Sequence, residues 1–272
     1  MSFHYPTKTI SVTSGKGGVG KTTLACNLAY KLSRFDKKVL IFDADLGMSN
    51  VDIFFGTRAE TTIYDVLSGK KTIEEALVRL DSNLYLISGG HGIDQMQNLD
   101  AYARRTVVDS LKELPISFDY MVIDTSPGIS QNVLHMNAAA KNNIVMITAD
   151  PSSFADSYAL IKVLNQKYKV NRFSIVSNCV KNQEDGFYLF KRFQDVVQKF
   201  LFVSLDYLGA VPQDSQLKSA NINKRIILKQ DPTSDAAIAI SQISSEILKS
   251  QYKINSSGGL EMFWDNLARA TS

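Results

Sequence analysis

Gly15-Lys16-Gly17-Gly18-Val19-Gly20-Lys21-Thr22 matches the spacing G-x-x-x-x-G-K-[ST], and Thr23 extends it by a second hydroxyl. Glycines at these steps let the backbone curl until successive N–H groups point inward at phosphate oxygens. A helix starting near Lys21 adds the positive end of its dipole to the same place. In such a loop Lys21 reaches the β- and γ-phosphates of a nucleoside triphosphate, and the Thr22 hydroxyl is placed to ligate Mg²⁺. The match lies directly after an apolar run, Thr9 to Thr13, and directly before a helical pattern, which is the context this chemistry requires.

Three carboxylates fall where they could complete that site. Val39-Leu40-Ile41-Phe42 runs into Asp43-Ala44-Asp45, and Tyr120-Met121-Val122-Ile123 runs into Asp124. The ends of buried strands are where open α/β sheets bind ligands. At the period of an extended chain, Asp43 and Asp45 point to one side, so one can serve the metal shell while the other orients water. Asp124, after four apolar residues, has the character of a carboxylate that accepts from the water shell of Mg²⁺.

These residues need a scaffold, and the chain supplies one. Strand-length apolar runs at Thr9 to Thr13, Lys38 to Phe42, Leu84 to Ile87, Tyr120 to Ile123, Ile144 to Thr148, Phe173 to Ser177 and Tyr207 to Val211 alternate with helical patterns. The patterns at Thr23 to Ser33, Ala101 to Leu114, Phe154 to Asn165 and Phe187 to Phe200 read as covering helices. Runs apolar on both faces, separated by helices, predict a doubly wound α/β fold with a mainly parallel sheet. With 272 residues and 44% hydrophobic content there is material for one large domain, expected over 1–254. Asn255-Ser256-Ser257-Gly258-Gly259 then reads as a flexible linker. After it Leu260, Phe263, Trp264 and Leu267 recur at helical spacing, predicting an amphipathic helix over 260–272 of the kind that lies in a membrane interface.

Thirty basic and 27 acidic residues leave a net charge of +3, too balanced to advertise wholesale nucleic-acid binding. No run approaches the roughly 20 apolar residues of a membrane span, and Met1 to Lys8 has no signal-peptide core, so a cytoplasmic location is expected. Two cysteines far apart, Cys26 and Cys179, argue against an iron–sulfur cluster and are expected to be buried free thiols. The stripe of Phe187, Tyr188, Phe190, Phe193, Val197 and Phe200 is expected to pack in the core, and His91 to be a loop residue.

Lys16 is a second lysine that a plain phosphate loop does not need. With it, Lys-Gly-Gly-Val-Gly-Lys-Thr-Thr and Asp43-Ala44-Asp45 resemble the deviant Walker A ATPases of the MinD/ParA class. Asp43 to Asp52 resembles that family's switch I, and Asp124-Thr125-Ser126-Pro127-Gly128 its switch II. The resemblance implies ATP and Mg²⁺ as ligands and an ATP-dependent homodimer in which Lys16 reaches the partner's nucleotide. It implies catalytic roles for Lys16, Lys21 and Asp45, with Asp45 positioning water, and a metal shell of Thr22, Asp43 and Asp124. Asn178 and the pair Pro212 and Asp214 match family positions that contact adenine.

Within the class, Asp-Ala-Asp-Leu-Gly-x-x-Asn-Val-Asp, the segment Ile147 to Lys162 and Leu208 to Asp214 are similar to the flagellar number regulators FlhG, FleN and YlxH. The chain departs from the usual patterns at Ala149-Asp150-Pro151, where Pro-Glu-Pro is common, and at Ser126-Pro127, where Ala-Gly is common. Only Met1 to Lys8 precede the first strand, where such proteins often carry an extension that stimulates a GTPase. The expectation is a slow ATPase that switches between dimer and monomer to regulate flagellar number or placement. Peripheral membrane binding through the last helix and flagellar GTPase or switch-complex partners accompany it. The alternative is a MinD-like division-site or ParA-like partitioning ATPase, although DNA is not the expected partner.

Overall fold

The computed structural model describes residues 7–45, 50–90, 114 and 116–249. The linker at Asn255 to Gly259, the helix expected over 260–272, His91, all of the Ala101 to Leu114 helix except its last residue, and Leu46 to Ser49 of the expected switch I lie outside the described residues.

Each of the seven apolar runs becomes a strand. In chain order these are β1 (Lys8–Thr13), β2 (Val39–Ala44), β4 (Leu84–Ser88), β5 (Tyr120–Thr125), β6 (Asn142–Ile147), β7 (Arg172–Val180) and β8 (Ser204–Pro212). An eighth strand, β3 (Leu77–Asp81), was not expected. It follows directly on a one-turn helix and pairs antiparallel with β4, giving the order β3-β4-β2-β5-β1-β6-β7-β8. All other pairings are parallel.

Both faces of the central sheet are buried, with the edge strands β3 and β8 only partly covered, and the central strands divide their side chains between the two faces. Val39 and Ile41 join one core with Val122, Ile144 and Met146, while Leu40 and Phe42 join another with Met121 and Ile123. On the first face lie α1 (Lys21–Ser33), α8 (Ser215–Ile222), α9 (Ile227–Gln230) and α10 (Asp235–Lys249), which contribute Leu24, Leu28, Leu32, Ile240 and Ile243. On the second lie α5 (Gln131–Ala139), α6 (Pro151–Tyr168) and α7 (Gln183–Phe200), packing Val133, Leu160, Ile161, Phe190 and Phe193. Three short helices, α2 (Val51–Phe54), α3 (Ile63–Leu67) and α4 (Ile73–Ala76), fill the passage between β2 and β3.

The helix starts carry the capping chemistry that their sequences suggest. Asp150 caps α6 by accepting from Ser152 N, with Pro151 in the first turn where its missing N–H is not needed. Asn182 caps α7 by accepting from Asp185 N. β1 lies between β5 and β6 and leads straight into the phosphate-loop segment. From β1 the chain turns one way to β2 and later the other way to β6, so this segment leaves the sheet at the topological switch point, where open α/β sheets hold ligands.

Candidate functional site

The segment from Gly15 to Gly20 curls as the motif requires. Gly18 and Gly20 have φ of 74° and 95°, in the left-handed region that side-chain-bearing residues rarely adopt. Gly20 is the N-cap of α1, so the loop passes its N–H groups directly into the helix start. A Cβ on Gly15 would lie 2.1 Å from the carbonyl carbon of Asp156, so the loop's first arm sits on the backbone of α6. Lys21 is buried at 7% exposure, and desolvation lowers its pKa against the raising charges of Asp124 and Asp45. A buried ammonium beside two carboxylates is a charge held in place for an anionic ligand.

The three carboxylates converge but differ in what they do. Asp43 and Asp124 face each other across β2 and β5 and are both buried. Asp43 accepts from the backbone N–H of Asp45 at 3.1 Å through Oδ1, and from those of Asn50 and Val51 at 3.1 and 3.2 Å through Oδ2. The expected division between a metal-shell acid and a water-orienting acid gains a structural part: Asp43 organises the backbone on both sides of residues 46–49, and the half-buried Asp45 lies beside Lys21 and Asp124. Asp45 Oδ1 accepts from the Ser126 hydroxyl at 2.8 Å.

Asp124 is the most perturbed acid. Burial first, then the charge of Asp43, raises its pKa to about 8, against the lowering effects of a Thr22 hydrogen bond and Lys21. Its Oδ1 is buried with no hydrogen-bond partner. An orphaned carboxylate oxygen beside the Thr22 hydroxyl fits a hard, oxygen-loving cation. Among the described residues no three acidic, His or Cys side chains form a ready-made metal cage. Mg²⁺ is typically held by one or two protein oxygens together with waters and substrate phosphates.

Lys16 stands apart from Lys21. Its head is 39% exposed, and it donates to Asp150 Oδ2 and Ser152 Oγ, each at 2.7 Å. Those bonds from Lys16 and then from the Ser152 hydroxyl and amide hold the Asp150 carboxyl well below the usual carboxylate range. Asn178, expected at adenine, is buried and donates from Nδ2 to the Val19 carbonyl at 2.7 Å, clamping the phosphate loop from β7. Pro212 ends β8, and Asp214 accepts from Gln216, Leu217 and Ala236 N–H groups, capping α8 and binding the start of α10. Burial alone would raise the Asp214 pKa, yet these donors together lower it. Thr23 donates to Asn221 on α8 at 2.9 Å. Val19 is buried beneath the loop, and Gly17 packs toward Pro127.

Four features were not foreseen. Ser126 and Asp150 became visible only once β5 and α6 were placed beside β2 and the loop, although Asp-Pro at a helix start already marks a cap. Cys26 is buried and free as expected, its thiol pushed up by burial. Cys179 is free but exposed, correcting the expectation of burial. A register shift between Asn178 and Val180 and a φ of 57° turn its side chain outward. The α7 aromatic stripe also divides: Phe190, Phe193 and Val197 are core, whereas Phe187, Tyr188 and Phe200 are exposed.

Comparison with known proteins gives three kinds of match. A family model described as an AAA domain matches residues 7–175. The antiactivator FleN of Pseudomonas aeruginosa is 30% identical over 269 residues, covering 99% of this chain and 96% of that protein. The flagellum site-determining protein YlxH of Helicobacter pylori is 35% identical over 240 residues, covering 88% and 81%. Among solved structures, the septum site-determining protein MinD of Pyrococcus horikoshii, complexed with Mg-ADP, superposes with a TM-score of 0.74 at 25% identity, covering 90% and 97%.

Proposed function

The chain belongs to the MinD/ParA class of P-loop ATPases, close to FleN and YlxH, and from that premise we propose that it is an ATP-driven dimerisation switch regulating flagellar number or placement. The observation that carries the proposal is the opposite setting of its two lysines: Lys21 is buried at 7% exposure inside the loop, and the Lys16 head stands outside it at 39%. A lysine on the rim, held only by the exposed Asp150 and Ser152, can exchange those partners for a nucleotide that its own loop does not cradle.

Bound Mg·ATP supplies the phosphoryl group and the metal's charge neutralisation. The chain's part is positioning. Backbone N–H groups of Gly15 to Thr22 would hold the phosphates and Lys21 would balance their charge, while the Thr22 hydroxyl would ligate the metal and Asp124, with Asp43 behind it, would accept from its water shell. Asp45 orients the attacking water, and Lys16 of one protomer reaches the nucleotide of the other. Asn178, Pro212 and Asp214 line the way to the base, with Asn178 acting through the loop it clamps. Residues 1–254 form the ATPase unit, and 260–272 form a lipid-binding helix that two copies in a dimer make stronger by avidity.

The test is assembly and membrane pelleting in ATP against ADP. Wild type should dimerise and pellet with anionic liposomes in ATP only. Lys16→Ala should lose both, and deletion of Gly258 to Ser272 should lose pelleting but keep dimers. A protein whose assembly size ignores the nucleotide would end the proposal. ATP-dependent, salt-sensitive retention on DNA would move the reading toward a ParA-like partitioning ATPase.

A further inference from the structure

Parallel strands β2 and β5 lie side by side with Ala44 opposite Thr125, so the next residues, Asp45 and Ser126, leave the sheet together. The Ser126 hydroxyl donates to Asp45 Oδ1 at 2.8 Å. The backbone that carries this hydroxyl is anchored on both sides. Thr125 Oγ1 donates to the Val12 carbonyl of β1 at 3.0 Å, and Gly128 N donates to the Ser14 carbonyl at the mouth of the phosphate loop, also at 3.0 Å. Between them the Pro127 ring lies 3.7 Å from where a Cβ of Gly17 would stand. Asp45 is held at its backbone, where its amide donates to Asp43, and at its carboxylate by Ser126.

We propose that Ser126 is a positioning residue for hydrolysis: its hydroxyl fixes the Asp45 carboxylate in one rotamer, with Oδ1 engaged and Oδ2 left to accept from the attacking water. The proposal rests on the reading of Asp45 as the water-orienting group. At Ser126-Pro127, where Ala-Gly is the commoner pair, this chain carries a side-chain hydroxyl within reach of Asp45. Without the hydroxyl the carboxylate regains rotamer freedom, and the fraction of time it spends in the productive geometry falls. Loss of one hydrogen bond to a charged group in an oriented site corresponds to a rate loss of about 10-fold.

Single-turnover hydrolysis and ATP affinity, measured on the full chain, separate the outcomes. Ser126→Ala should lower the hydrolysis rate about 10-fold with ATP affinity and ATP-dependent assembly unchanged. Ser126→Thr, which keeps the hydroxyl, should restore most of the rate. In an Asp45→Ala background, Ser126→Ala should have no further effect, because its action runs through the missing carboxylate. The inference is overturned if Ser126→Ala hydrolyses at the wild-type rate, weakens ATP binding at unchanged rate, or slows the Asp45→Ala protein further. Wild-type hydrolysis by Asp45→Ala alone would instead overturn the reading beneath it.

Discussion

Asp124 places a carboxylate where its charge has little water to stabilise it, and its pKa of about 8 compares with an ordinary value of 3.8. Between those values the folded chain binds more protons at this site than the unfolded chain, so stability falls as pH rises. The nucleotide-free protein should therefore show a urea midpoint that drops between about pH 5 and pH 8. Asp124→Asn, which never ionises, should flatten that slope while abolishing Mg-dependent hydrolysis. Asp45→Ala should behave differently, keeping ATP affinity and losing about 100-fold or more in hydrolysis rate in a single-turnover assay. The position of these acids was legible in the sequence, because each follows a run of apolar residues that can only be a buried strand. The division of labour was not. That Asp43 gives its oxygens to Asn50 and Val51 depends on the chain after β2 folding back, which no spacing encodes.

Helices and strands meet at places where one atom more would not fit. Gly186 on α7 faces Ala210 on β8 so closely that an added Cβ would lie 2.3 Å from the Ala210 Cβ. Gly186→Ala should cost about 1–3 kcal/mol in urea unfolding through the forced separation of helix and sheet. At Gly20 an added Cβ would lie 2.5 Å from Asn178 Nδ2, at a φ of 95°. Gly20→Ala should thus weaken ATP binding by disturbing the clamp on the loop, measurable by nucleotide titration. Seven of eight strands were legible because burial on both faces demands unbroken apolar runs. β3 was not, since an edge strand half-exposed on both sides carries Arg79 and Asp81 and has no such run. The aromatic stripe of α7 had a clear period, yet period alone cannot tell how far a helix overhangs. α7 packs over β7 and β8 at the end of the sheet, where Phe187 meets Tyr207 of β8 and Phe200 meets Tyr158 by one ring edge each, so these two and Tyr188 stay exposed to solvent.

At the scale of the molecule, the proposed switch would require Lys16 to leave Asp150 and Ser152. Both partners of that ion pair are well exposed, and such pairs are readily exchanged for water, so the contact parks the lysine without locking it. Asp150→Ala should then leave ATP-dependent dimerisation within a few-fold of wild type in light scattering, where Lys16→Ala abolishes it. The order of the strands reaches further, into synthesis. β1, which carries the phosphate loop, pairs only with β5 and β6, whose partner residues begin at Tyr120 and Asn142, more than a hundred positions downstream. A growing chain therefore has the motif long before it has the walls that hold the motif in shape. Nascent chains stalled on the ribosome should fail to be captured by immobilised ATP until Ile147 has emerged, and the exposed glycine-rich segment is a stretch for chaperones to guard until then.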